Sequence, residues 1–168
     1  MQTQTIHRNT RRPRRAKGAA IVEAAFVLPI VLMFIMGLFE YGRYYLMVHV
    51  CYNAVSAGAA YACKHTSPIV ISGTTYNNGS SDVTNVVNAN MGTQQLANPS
   101  VSVYLSDALG NAIADSAGNN PGQFIYASVG QYITVQLTGT YTFIPASMLG
   151  LPSTRTETFT TVRRSEAN

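Results

Sequence analysis

Charge is scarce in this sequence of 168 residues, where Asp, Glu, Lys and Arg together make up 11%. Acidic residues are missing altogether before Gly18, although Arg8, Arg11, Arg12, Arg14, Arg15 and Lys17 crowd there. Beyond Gly18 the basic residues are Arg43, Lys64, Arg155, Arg163 and Arg164. They face Glu23, Glu40, Asp82, Asp107, Asp115, Glu157 and Glu166. The basic isoelectric point therefore belongs to the N-terminal arm, and the remainder is slightly acidic. That distribution excludes a broad basic face for nucleic acid.

Reactive groups are equally sparse. His7, His49 and His65 are far apart and lack metal-ligand spacing. There is no nucleophile–base constellation, no phosphate loop and no Cys/His cluster. No catalytic, cofactor or metal residue is assigned, and the chain is not expected to be an enzyme. Asp82, Asp107 and Asp115 sit among Asn and Gly, but EF-hand spacing is absent, and ordinary loop solvation accounts for them. Cysteine is limited to Cys51 and Cys63. On one continuous helix they would stand about 18 Å apart, beyond the reach of a disulfide. Either the helix breaks between them, or they remain thiols, or each pairs with another chain.

What the sequence does have is a long apolar run. Ala19 to Phe39 is apolar except for Glu23. As a helix it spans roughly 30 Å, one bilayer core. A buried core helix of this length would carry a polar face. A secretory signal would have a shorter apolar run and a small-residue cleavage site just after it. The run is therefore expected to be a single-pass transmembrane helix in a lipid bilayer. The basic arm in front holds the N-terminus in the cytoplasm by the positive-inside rule. Pro29 removes one backbone hydrogen bond inside the span and should kink or loosen it. Glu40, Tyr41 and Arg43 should mark the outer membrane interface, with Tyr44 and Tyr45 completing an aromatic belt.

The remaining chain is rich in Thr, Ser, Asn, Gly and Tyr, which suits an extracytoplasmic β-rich module. Tyr44, Val48, Cys51, Val55, Ala59 and Ala62 recur at steps of three and four. They form one apolar stripe on a helix that continues to about Lys64. Gly37, Gly42 and Gly58 permit close helix approach. Thr66-Ser67-Pro68 ends the helix. A loop with the turn signal Asn77-Asn78-Gly79 follows. Ser80 or Ser81 can cap a short helix from Asp82 to about Met91, with Val83, Val86 and Val87 on its apolar side.

Asn98-Pro99 resets the chain, and three strands follow. Val101, Val103 and Leu105 alternate with polar neighbours in the first. In the second, Ile133, Val135, Leu137, Tyr141 and Phe143 fall on one face, with Thr134, Gln136, Thr138, Thr140 and Thr142 on the other. Gly139 marks a bulge or a close contact. Thr154 to Arg164 is a third strand whose inner face is not assigned. Asp107 to Gln123 reads as a long loop or hairpin-like excursion, and Ile144 to Ser153 as a second loop. No internal repeat is evident. The expected fold class is α+β. A long N-terminal transmembrane helix extends into an extracytoplasmic domain with a short second helix and a small antiparallel sheet of about three strands. The expected divisions are a basic leader (1–18), a transmembrane helix (19–39), a helix extension (40–66) and a small α+β domain (67–168).

A basic leader, a glycine, and then an apolar helix with Glu at its fifth position resembles the class III signal of type IV pilin-like proteins. "GAAIVEAAFVLPIVLMFIMGLFEYGR" is similar to the N-terminal segment of TadE-like proteins, the minor pseudopilins of tight-adherence (Flp) pilus systems. "YNAVSAGAAYA", Tyr52 to Ala62, resembles the end of that family's helix. "TGTYTFIPASMLGLPSTRTETFT" resembles its C-terminal strand, Pro-containing turn and final strand. The resemblance implies cleavage after Gly18 by a prepilin peptidase, which leaves Ala19 as the new N-terminus. It implies a bacterial inner-membrane location with the domain periplasmic or extracellular. It also implies partners among other pilin or pseudopilin subunits and the pilus assembly platform. Ala19 is not the Phe or Met of type IV pilins, and Ala24 stands where major Flp pilins carry Tyr. These departures, with the chain's length, favour a minor subunit over a filament-shaft role.

Physics supplies a reason for Glu23. Charged residues such as Asp, Lys or Arg cost about 2.5–3.5 kcal/mol at a helix centre on insertion scales. An intramembrane carboxylate therefore calls for a partner. The Ala19 amine of a neighbouring subunit is one. The alternative is a snorkelling or protonated Glu that marks the helix edge. A rival for the whole chain is an unprocessed, membrane-anchored periplasmic binding or scaffold protein.

Overall fold

The structure, a computed structural model, describes residues 16–66, 69–71, 74–76, 79–92, 96–148, 150 and 152–166. Arg8 to Arg15, the Ser67-Pro68 stop, Asn77-Asn78, Leu149 and Leu151 lie outside the described residues. The chain divides between Phe39 and Glu40 into two units.

The described part of the first unit belongs to helix α1, Ala16–Lys64. Residues 18–39 are all exposed. The helix holds a stretch long and apolar enough to cross a membrane, and none of that stretch is buried. Burying one large apolar side chain is worth about 1.5–3 kcal/mol. A run left this bare needs an apolar surrounding, and a bilayer core supplies one. Pro29 lies inside the helix, which continues through it. Gly18 and Ala19 lie within α1.

The second unit is α+β. It contains the remainder of α1, a two-stranded hairpin of β1 (Ile69–Ile71) and β2 (Thr74–Tyr76), and helix α2 (Ser80–Met91). An antiparallel sheet follows in the order β3 (Ala97–Ser106), β4 (Tyr132–Thr142) and β5 (Thr154–Arg164), with a short helix α3 (Ile144–Met148) between the last two. Val101, Leu137 and Phe159 stand side by side across the three strands. Leu105, Ile133, Val135, Leu137, Tyr141 and Phe159 form the sheet's contribution to the core. Met47, Cys51, Ala54, Val55, Ala59, Ala62 and Cys63 of α1, Val83, Val87 and Met91 of α2, and Leu96, Phe124, Ile125 and Ala127 complete it.

Two glycines set the spacing. A Cβ on Gly58 would stand 2.5 Å from Val87 Cγ2, so α2 approaches α1 at that point. A Cβ on Gly139 would meet Leu96 Cδ2 at 2.6 Å. Gly139 therefore marks a close contact. Both cysteines are buried thiols on an unbroken helix, and burial pushes the Cys51 thiol up to about 11.

Several local expectations differ. The segment read as a loop after α1 holds the β1–β2 hairpin. The second loop holds α3. Asn98-Pro99 does not precede β3 but lies within it, at a register break between Ala97 and Ser100, with Asn98 at φ 52°. Helix α2 starts at Ser80, with Gly79 as its cap residue. The Gly79 N–H donates to Asp82 Oδ2 at 3.1 Å. Met91, one helical turn beyond Val87, takes the buried place expected of Val86, which is only half-buried. Thr134 is on the polar face yet fully buried, where its hydroxyl donates to Ser106 Oγ at 2.7 Å. On β5 the inner face runs through Glu157, Phe159 and Arg163, all of which reach α1 or lie in the core.

The excursion between β3 and β4 contains a repeat that composition hides. "DALGN" and "DSAGN" are one five-residue turn used twice. In each, the Asp Oδ1 accepts two backbone N–H bonds, from Leu109 and Asn111 or from Ala117 and Asn119, at 2.8–2.9 Å. The following Asn amide donates to the other oxygen at 2.8 Å. The glycines sit at φ 89° and 85°, which a side chain would resist. Asp115 also accepts from the Gln123 N–H at 2.9 Å. Burial pushes the Asp115 carboxyl up, but the Asn119 amide and the N–H groups of Gln123, Asn119 and Ala117 together pull it down to about 2. These carboxylates organise turns rather than merely solvating them.

Two outcomes follow from this packing. Leu137→Asp places an unpaired charge in the core and should cost several kcal/mol. Thr138→Asp, on the exposed face, should stay within about 0.5 kcal/mol. Urea unfolding separates them, and equal midpoints would contradict the facing. Asp115 has a folded-state pKa below its unfolded value of about 3.9. Its contribution is therefore present above about pH 4 and lost as pH falls toward about 2. Asp115→Asn should flatten the acid limb of the stability profile in that window. An unchanged acid limb would dismiss the carboxylate as an anchor.

Candidate functional site

The residues singled out in the sequence form two groups. The first lies in the first unit. Gly18 and Ala19 are exposed on α1, and Glu23 is exposed one turn beyond Ala19. Positions four apart share a helix face, with about 5–6 Å between their Cβ atoms. Glu23 and the residue that would carry a new amine are therefore neighbours on one surface. Apolar side chains surround that surface: Ile21, Val22, Phe26 and Val27 are all exposed.

The second group lies in the second unit. Glu40 and Arg43 face the sheet. The Arg43 guanidinium donates to Glu40 Oε1 at 2.6 Å and to the Thr142 carbonyl at 2.6 Å. Its carbon lies 4.9 Å from the centre of the Tyr141 ring. The Tyr141 hydroxyl donates to the same Glu40 oxygen at 2.8 Å. Tyr44 stands edge-on to Tyr141 at 5.4 Å, and its hydroxyl donates to Glu157 Oε1 at 3.0 Å. Arg155 closes the group on Glu157 at 3.0 Å. Burial, and then the bond to Glu40, pushes the Tyr141 hydroxyl up to about 12. Burial and Glu157 likewise raise Tyr44.

This arrangement ties the start of the second unit's helix to β4 and β5. Tyr41 is outside it, exposed and stacked on Tyr45 at 6.3 Å. Sequence reasoning assigned Glu40, Tyr41 and Arg43 to the membrane interface and missed Tyr141, Thr142 and Glu157 as surroundings of Glu40 and Arg43. The i, i+3 spacing of Glu40 and Arg43 was the available signal. A cleft of about 330 Å³ adjoins the cluster, lined by Arg43, Leu96, Ala97, Thr142 and Ile144. Its one charged group is already engaged by Glu40 and Thr142. Among the described residues no group of His, Cys, Asp and Glu is placed to hold a metal ion.

Residues 18–60 match the TadE-like protein family, over about a quarter of the chain. The match covers Gly18, Ala19, Glu23, Pro29, Glu40, Tyr41 and Arg43, and it agrees with the resemblance read from the sequence. It does not extend to the sheet. No curated protein and no solved structure matches the chain.

The polar cluster is open to a direct measurement. Tyr141→Phe removes one hydrogen bond to a carboxylate while keeping the ring, and should cost about 2 kcal/mol. In an Arg43→Met background the same change should cost a different amount, because both groups share one Glu40 oxygen. Strict additivity in thermal or urea unfolding would show that they act separately.

Proposed function

We propose that the chain is a minor pseudopilin of a tight-adherence (Flp-type) pilus, cleaved after Gly18 by a prepilin peptidase and acting in pilus assembly or secretion. The family match points to the Tad pilus systems, and the exposed apolar helix is consistent with a single-pass anchor. The observation that supports the finer reading is that Gly18, Ala19 and Glu23 lie on an otherwise apolar, uncovered stretch of helix. In this reading the basic arm is cytoplasmic, residues 19–39 cross the inner membrane, and the second unit lies outside. The protein acts by assembly rather than by catalysis. Its partners are the peptidase, other pilin or pseudopilin subunits and the assembly platform.

The residue type at position 18 bears on the cut. The Gly18–Ala19 bond lies within α1. Glycine there is worth about 1 kcal/mol less than alanine to the helix. Glycine at this position therefore lowers the cost of reaching the extended form a peptidase binds. Once it is cut, the Ala19 amine is a cation at the edge of a low-dielectric region, and Glu23 of a neighbour is its counter-charge.

Mass spectrometry of the mature chain tests the cut. Wild type should lack residues 1–18, and Gly18→Val should remain full length. A full-length wild-type chain in cells with an active peptidase would favour the unprocessed scaffold. Glu23→Ala and Glu23→Gln should both insert and be cut, yet should be lost from sheared pili. Normal incorporation of the Gln variant would leave Glu23 as an edge marker only.

A further inference from the structure

The β3–β4–β5 sheet has two edges, and they differ. The β3 edge is blunted by Pro99, which has no N–H, and by the register break beside it. Its far end is covered, because the Leu105 N–H donates to Gly122 at 2.9 Å and its carbonyl accepts from Ile113 at 3.0 Å. The β5 edge has no proline, no break in its register with β4 and, among the described residues, no strand on its other side. The Ser165 N–H donates to the Gln131 carbonyl at 2.7 Å. Strand alternation then turns the backbone groups of Thr156, Thr158, Thr160 and Val162 outward.

A wall borders this edge. Tyr52 of α1 stands edge-on to Phe159 at 5.2 Å, and Arg163 donates to Ser56 Oγ at 2.9 Å. Along the same helix flank Tyr41, Tyr45 and Tyr52 are 67%, 55% and 50% exposed. Charge is uneven too. The Arg155 side chain is 65% exposed, and Arg163 and Arg164 are exposed at the other end. Glu157, the acid of this strand, is already held by Arg155 and Tyr44.

We propose that the free edge of β5 docks an extended strand from a different protein. The strand's side chains toward α1 are apolar or aromatic and meet the tyrosine flank. Those on its other side are small and polar beside Thr156, Thr158 and Thr160, and its ends carry acids that meet the arginines. A second copy fits poorly, and parallel β5–β5 pairing would set the exposed arginines of the two copies side by side, like charge against like. Pairing β5 with β3 of another copy meets Pro99 and the covering turn. Antiparallel β5–β5 pairing would turn the two copies' Glu40 ends to opposite sides, and one bilayer cannot receive both apolar segments. That last step rests on the anchor reading of residues 19–39.

The test uses the full chain in detergent micelles and a fluorescent synthetic peptide of alternating Val and Thr with two Glu at each end. Fluorescence anisotropy should show saturable binding that weakens with salt. Thr160→Pro removes an outward N–H without touching the bonds to β4, and should weaken binding about tenfold or more with unchanged thermal unfolding. If that variant unfolds, the same peptide N-methylated along its centre decides the matter, and it should not bind. No binding of the unmethylated peptide, or equal binding of the methylated one, would overturn the proposal. Equal binding by a folded Thr160→Pro would do the same. A wild-type dimer that Thr160→Pro dissociates would assign the edge to a second copy and likewise overturn it. None of these readouts depends on whether Gly18 is cut.

Discussion

A three-stranded sheet with one apolar face is not stable until that face is covered. The largest part of the cover here is one side of α1, with Val83, Val87 and Met91 of α2 beside it. From Met47 to Cys63, the residues of α1 that turn inward include Cys51, Ala54, Val55, Gly58, Ala59 and Ala62, all small. Small side chains let the helix lie close to β4, so that Val135 and Leu137 are fully buried. The lengths match as well. The part of α1 from Glu40 to Lys64 measures about 36 Å, and β5 with its eleven residues measures about the same. One helix therefore serves the whole strand. Bonds from Tyr44 to Glu157 and from Arg163 to Ser56 fix it near both ends.

The same constraint accounts for the polar cluster at Glu40. At the Tyr141 end of the sheet, charged groups must be matched inside a half-buried space. A carboxylate shared by a guanidinium and a phenol does this with few atoms. The aromatic ring of Tyr141 fills the core from one side, while its hydroxyl serves the cluster from the other. Glu40 and Arg43 therefore have an intramolecular role, whatever surrounds the helix at that depth.

Legibility in the sequence followed the strength of the local pattern. The apolar run and the strict alternation of β4 each dictate an element by themselves, and both were readable. The stripe through Cys51, Val55 and Ala59 was readable for the same reason. The inner face of β5 was not, because Thr occupies both sides and the face is decided by Tyr52 and Tyr44, more than a hundred residues earlier. Thr134 looked exposed by alternation, but the turn at Gly110 covers it, and no periodicity records a covering loop. The twin Asp-Asn turns were hidden by a composition that also describes a featureless loop. Only the repeated order of Asp, Gly and Asn carries the information. At the front of the chain, sequence alone had to carry the case for Gly18 and Glu23. The roles proposed for them involve a bilayer, a peptidase and neighbouring subunits rather than the rest of this fold.

That contrast also separates the two ends of the molecule's surface chemistry. The apolar helix is indiscriminate, since any lipid chain or helix can cover it by dispersion alone. The β5 edge is directional. Its backbone groups come at fixed intervals, and a partner must be extended to meet them. Thr is the residue that keeps such an edge soluble without closing it, for its hydroxyl satisfies water while its branched Cβ holds the strand conformation. Lys or Pro in the middle of β5 would have protected it against chance pairing at the cost of any specific one. The protection is present on β3 and absent on β5, so the sheet is polarised: one edge is finished within the chain, and the other is left for a contact whose specificity rests on the arginines at its ends and the tyrosines beside it.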